Sequence, residues 1–253
     1  MISLTHPLST ASSAGSLLPW EQPYRTEPIA TLDHNGANLF HIRMSPSVST
    51  RILCLRVADG AAPSLQDTDP LRLINREADV LRVAAQQGGE IGRDALAAAL
   101  EATGGASALM LLSGWGDVPV ADEARLRTAP WFSPEAAELL ATTVAQRGID
   151  LVLTDLPYLT DPAATHAGRQ WLAVPGWQRP PWPSSTAAAY LDRFYPRDQV
   201  LADWAPTVEI LRHALLVLGL AGGGSLRGRT RLTVAPLNVS EVGEAPCTVV
   251  AEP

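Results

Sequence analysis

Residues 38–57, NLFHIRMSPSVSTRILCLRV, decide how the chain is read. Asn38-Leu39-Phe40-His41-Ile42-Arg43-Met44 and Thr50-Arg51-Ile52-Leu53-Cys54-Leu55-Arg56-Val57 both alternate with period two, and Ser45-Pro46-Ser47 breaks the pattern between them. The spacing predicts a β-hairpin with a polar corner. His41 alternates with Leu39 and Arg43, opposite in face to Phe40 and Ile42, which makes it a candidate pocket-lining residue.

Outward from that corner the chain has the composition of a folded protein, and its coarse pattern of strands and helices is that of an α/β protein. Its 253 residues, 46% of them hydrophobic, are enough for a sizeable core. A net charge of -7 and a pI near 5.2 argue against a nucleic-acid surface, which needs clustered basic residues. All 19 basic residues are arginine. Without lysine, Schiff-base chemistry and a Walker-type phosphate loop are excluded. Cys54 and Cys247 lie far apart in apolar strand patterns, with neither redox nor zinc spacing, and read as buried thiols of a reducing compartment. The first 20 residues carry no basic leader, and no window reaches the roughly 18 apolar residues of a membrane span. The expectation is a cytoplasmic protein without membrane or nucleic-acid partners.

In chain order, residues 2–10 read as an opening strand and 11–36 as a loop ending in the Asn35-Gly36 turn, with His34 at a surface corner. Residues 71–87 have helix-like spacing, and 91–101 read as a short amphipathic helix stopped by Gly104-Gly105. Ala108-Leu109-Met110-Leu111-Leu112 reads as a buried strand ended by Ser113-Gly114-Trp115-Gly116. The clearest helix is 134–147, with Ser133 as N-cap, Pro134 at its first position, acidic residues in its first turns and Gly148 as its stop. Residues 149–162 then predict a strand and a proline-fixed loop carrying Asp155 and Tyr158, where an aspartate commonly fixes the loop through its backbone. The glycines of LGLAGGGSLRG, 218–228, follow a helix-like run instead of opening one, so they read as a turn and not as a phosphate loop.

These phrases together resemble the metal-dependent cyclase and kynurenine-formamidase-like hydrolase family. Its signature, Pro-His-x-Gly-Thr-His-x-Asp, falls on Pro46-Ser47-Val48-Ser49-Thr50-Arg51-Ile52-Leu53, where only the proline and threonine survive. The family's two metal-binding histidines fall on Ser47 and Arg51 and its aspartate on Leu53, and such side chains cannot hold a divalent cation. Leu-x-Thr-Gly-Trp resembles 111–115, and Val-Gly-Ile-Asp-x-Pro-Ser-Val-Asp-Pro resembles the segment through Pro162. The family's acid-base histidine is matched by His166 and the glutamate of its Ile-Glu-Asn-Leu phrase by Glu209.

The resemblance implies the swivelling β/β/α fold, a single domain over 1–253 with a Pro/Trp-rich insertion at about 173–206, and a homodimer or tetramer. It implies a metal-independent cyclase without cofactor, acting on a small natural-product or polyketide-like intermediate. His166 and Glu209 would be catalytic, with Arg51 a fixed cation at the old metal position. His41, Ser47, Trp115, Asp155 and Tyr158 would line the substrate. A non-catalytic, ligand-binding family member is the alternative, and a metal-dependent amide or formamide hydrolase the third reading.

Overall fold

A computed structural model of the chain describes residues 1–7, 24–46, 49–86, 88–118, 128–161 and 197–252. Four parallel strands form its centre: β5 (Arg76–Arg82), β7 (Ala108–Leu112), β9 (Leu151–Thr154) and β10 (Leu215–Leu218). β4 (Arg51–Leu53) runs antiparallel beside β10 and also pairs with β12 (Glu244–Glu252). β12 pairs with β11 (Gly228–Pro236), and β11 returns to β5, so seven strands close on themselves. β1 (Ile2–Ser3) adds to β12 outside the ring. Closure leaves few open edges for stray pairing.

Alternation along the strands sorts the core into two parts. Ile52, Val80, Met110, Leu153, Val217, Leu232 and Val249 pack inside the ring. Leu53, Leu81, Leu109, Leu111, Val152, Leu216 and Leu218 face outward, beneath helix residues such as Leu96, Leu100, Leu140, Val144 and Ile210. The central strands are buried on both faces, which is why they read as unbroken apolar runs. Arg93–Leu100 and Pro134–Arg147 form the helices expected there. The second is capped as its sequence requires: Ser133 accepts from Ala136 N, and Gly148 closes the far end at φ 64.

The structure corrects several expectations. Residues 38–44 and 50–57 do not form a hairpin with each other. β3 (Leu39–Arg43) pairs with β2 (Arg25–Ala30), which lies in the expected loop, and the two are joined by the short helix Leu32–Asn35. β4 pairs with strands far along the chain and gives way after Leu53 to a 3-10 turn, Leu55–Val57. The helix expected over 71–87 is replaced at its centre by a strand, Arg76–Arg82. A 3-10 turn at Pro70–Arg72 starts the helical pattern, but Asn75 takes φ 56 and stops it, and the chain enters β5. Long-range pairing in the ring then overrides local helix preference. The helix-like run before the glycines is helical only over Ala205–Leu211, and the residues that lead directly into the glycines form β10. The two short strands Glu90–Ile91 and Trp131–Phe132 form a separate pair. No helix among the described residues is long and apolar enough to cross a membrane.

Candidate functional site

The carboxyl ends of β5, β7, β9 and β10 lie together at one end of the ring, where loops of α/β sheets commonly receive ligands. β4 begins at this end, because its antiparallel register places Arg51 opposite Leu218, the last residue of β10. Arg51 is 4% exposed. Its Nε lies 2.7 Å from Glu244 Oε1, an ion pair without the alignment of a hydrogen bond. Nη2 donates to Pro157 O at 2.6 Å, and the guanidinium stands 5.2 Å from the centre of the Tyr158 ring. A charge this deeply buried is retained because it is paired. Arg51 thereby ties β4, β12 and the loop after β9 into one corner.

Asp155, the residue directly after β9, is 2% exposed. It accepts from Ser113 N (2.9 Å) and Ser113 Oγ (2.9 Å), from Gly114 N (2.9 Å) and from Gly116 N (3.1 Å). Burial pushes its carboxyl above the ordinary range, and these donors oppose that shift. The turn it organises depends on glycine at two points. Gly114 takes φ 90, and a Cβ at Gly116 would stand 2.6 Å from Leu220 O. The glycine-rich segment after β10 thus packs directly on the turn, with Gly222 N donating to Gly116 O. Asp155 thus fixes the Ser113–Gly116 turn through its backbone donors.

The remaining sequence-derived candidates divide. Trp115 is buried at 6%, and Tyr158 is half-buried against Arg51. His41 is exposed on β3, paired across from Glu27. Ser47, His166 and the Pro/Trp-rich stretch before residue 197 lie outside the described residues. Glu209 is not brought to Arg51. It sits in the last turn of Ala205–Leu211, at the amino-terminal side of β10, and holds Arg212 at 2.6 Å and His213 at 3.5 Å. The residue of β10 that faces Arg51 is Leu218, on the same outward side as Leu53.

Sequence reasoning missed three contributors. Glu244 is separated from Arg51 by most of the chain. Thr50, retained from the motif and wholly buried, accepts from His6 N at 3.1 Å and donates to Gly219 O at 2.7 Å, joining the amino-terminal segment to β10. Arg82, the last residue of β5, donates through Nη2 to Gly223 O at 2.5 Å, and its buried Nε has no hydrogen-bond partner among the described residues. Burial lowers its pKa, Arg227 adds to that, and Asp117 and Asp155 oppose it. Only the survival of Thr50 within the motif signalled any of these.

No family model matches the sequence, and no curated protein matches it. Solved structures do share its fold. Isatin hydrolase A from Ralstonia solanacearum superposes with a TM-score of 0.64 at 16% identity, over 99% of this chain and 90% of that one. A predicted metal-dependent hydrolase from Bacillus stearothermophilus gives 0.60 at 15% identity, over 98% and 95%. A potential metal-dependent hydrolase with cyclase activity gives 0.61 at 14% identity, over 100% and 98%. The fold is therefore that of the cyclase and metal-dependent hydrolase structures, as the sequence motifs implied.

Proposed function

We propose that this chain is a metal-independent enzyme built on the cyclase and hydrolase fold, closing a ring in a small natural-product or polyketide-like intermediate. The observation that carries the reading is the Arg51 corner. The structural neighbours include proteins described as metal-dependent hydrolases. A divalent cation needs imidazole or carboxylate donors. Here the motif positions present a guanidinium engaged with Glu244 and a core leucine, Leu53, with Leu218 across the ladder. These residues do not fit such an ion, and no step is routed through one.

Without metal-activated water, amide hydrolysis loses its nucleophile, whereas ring closure by proton transfer does not need one. His166 takes a proton from carbon beside a carbonyl, that carbon's electron pair closes onto a second carbonyl carbon, and the alkoxide formed takes the proton back as a hydroxyl. Removal of the remaining proton on the attacking carbon then forms a carbon–carbon double bond as the hydroxyl, protonated in turn, leaves as water. Arg51 is a positioning residue in this scheme, holding Pro157 and Tyr158 at the rim through the contacts described. Glu209, engaged with Arg212 at 2.6 Å on an exposed helix face, has no part in it.

The test is a chelator-treated enzyme assayed by mass spectrometry for loss of water from linear poly-carbonyl acids. Turnover that survives chelation and is lost in His166→Ala supports the proposal. Turnover restored only by added zinc or manganese contradicts it. The engagement of Arg51 by groups of the protein itself favours a second reading, a non-catalytic ligand binder. Saturable binding of the same acids without conversion, equal in wild type and His166→Ala, would select that reading.

A further inference from the structure

Two arginines near the carboxyl end of the ring, Arg82 and Arg227, take no part in the proposed chemistry. Ala78 and Val80 pack inside the ring, so alternation places Arg82, the last residue of β5, over its mouth. Arg82 Nη2 donates to Gly223 O at 2.5 Å and to Leu226 O at 3.2 Å. Arg227 Nη1 donates to Gly224 O at 2.7 Å and to the same Leu226 O at 2.6 Å. Two like charges are thereby brought to one carbonyl oxygen. Neither arginine makes an ion pair among the described residues, and Arg82 Nε is buried there without a hydrogen-bond partner.

The neighbouring carboxylates do not serve as their counter-ions. Asp155 accepts from four donors of the Ser113–Gly116 turn, and Asp117 is exposed to solvent beside Gly224. Burial and then Arg227 lower the Arg82 pKa, and the two carboxylates oppose that shift without restoring the ordinary value. A cation in such surroundings gains from an added anion, and a buried N–H without an acceptor gains from an added oxygen. A carboxylate supplies both with a single charge. A phosphate dianion would meet the Asp117 carboxylate as well. The segment 219–223 joins this place to the motif corner, since Thr50 Oγ1 donates to Gly219 O at 2.7 Å. Four residues reach at most about 14 Å, a span that a linear poly-carbonyl chain bridges.

Resting on the function proposed above, we infer that Arg82 and Arg227 bind the carboxylate of a linear poly-carbonyl acid and fix the end of the chain remote from the reacting carbons. Arg82 supplies the buried Nε–H. Arg227, exposed at the rim, supplies charge that draws the acid in. An ester of the same chain offers no charge to either.

The test is isothermal titration calorimetry of the full chain with succinylacetone, a stable linear diketo acid, and with its methyl ester. Wild type should bind the acid about tenfold more tightly than the ester. Arg82→Gln should weaken acid binding about thirtyfold and Arg227→Gln about fivefold, with the ester unchanged. Arg231→Gln, at an exposed arginine paired across from Glu77 and Glu252, should change neither. Arg227 lies on the surface, so its variant decides the matter if Arg82→Gln does not fold. The proposal is overturned by a wild type that does not bind the acid or binds acid and ester alike. Acid binding unchanged in Arg227→Gln, or inorganic phosphate bound more tightly than the acid, overturns it too. Binding is read without turnover. An acid that binds through both arginines and is never converted therefore leaves this site standing and removes only the catalytic reading.

Discussion

Arg51 and Asp155 stand at the same end of the ring, both almost wholly buried, and are neutralised by different means. Arg51 meets a full opposite charge, Glu244, together with a carbonyl and an aromatic face. Asp155 accepts only from N–H and O–H groups of a single turn. The first arrangement joins segments far apart in sequence, whereas the second shapes a turn between two neighbouring strands. Charge pairs in a protein interior are replaceable by apolar groups of similar volume. A carboxylate that satisfies several backbone donors is not, because removing it strands them. The Arg51 corner is therefore the part of this end free to vary in chemistry, and the Asp155 turn is its fixed frame.

Asp155→Ala should break the comparison most severely, stranding the amides of Ser113, Gly114 and Gly116, with a loss on the order of 4 kcal/mol in urea unfolding. Asp155→Asn, which keeps one acceptor oxygen, should lose about half as much. Equal losses from the two would mean that the donors are not what the carboxylate serves. Arg51→Met should cost about 3 kcal/mol by leaving Glu244 uncompensated. Adding Glu244→Leu should recover part of it, a coupling of about 1 kcal/mol readable in a double-mutant cycle; strict additivity would deny the pair.

A pH titration sharpens the same corner. Burial pushes the Cys247 thiol up to about 12, while Arg51 acts to lower it. A folded-state value above the unfolded one means this thiol's stabilisation is fully present below pH 9 and is lost as pH rises from there toward 12. In a Cys54→Ser background, thiolate absorbance should appear at higher pH in Arg51→Met than with Arg51 intact. An unchanged titration would place the guanidinium too far from the thiol to matter. The smallest effect belongs to Glu209→Gln, which should change stability by no more than about 0.5 kcal/mol and leave turnover intact. A large loss of turnover would return Glu209 to the site.

What could be read from sequence follows the range of the interactions involved. The helix Pro134–Arg147 carries its own cap, dipole charges and glycine stop within a few residues, so it was legible. Ala108–Leu112 and Leu151–Thr154 were legible because strands buried on both faces are apolar throughout. β5 was not, since the positive φ of Asn75 that ends the helical start is a backbone choice made against distant strands. The alternation of residues 39–43 and 51–53 was real, but alternation names no partner. β3 turns back to β2, and β4 finds β10 and β12 far along the chain. Within the site, the sequence drew attention to Asp155 through its loop and to Arg51 through the motif it interrupts, while their partners Ser113, Gly114, Gly116 and Glu244 lie far away along the chain. Glu209, matched from its phrase alone, lies on the helix Ala205–Leu211, and only the ladder shows that the residue across from Arg51 is Leu218.

The most direct test of the account is the metal content of the purified protein, measured by elemental analysis for zinc, manganese and iron and followed by a zinc titration of thermal stability. Less than stoichiometric metal and no rise in Tm on adding zinc is the predicted result, because Arg51, Leu53 and Leu218 offer no ligand. One tightly held ion per chain, with a Tm that rises on zinc addition, would contradict it.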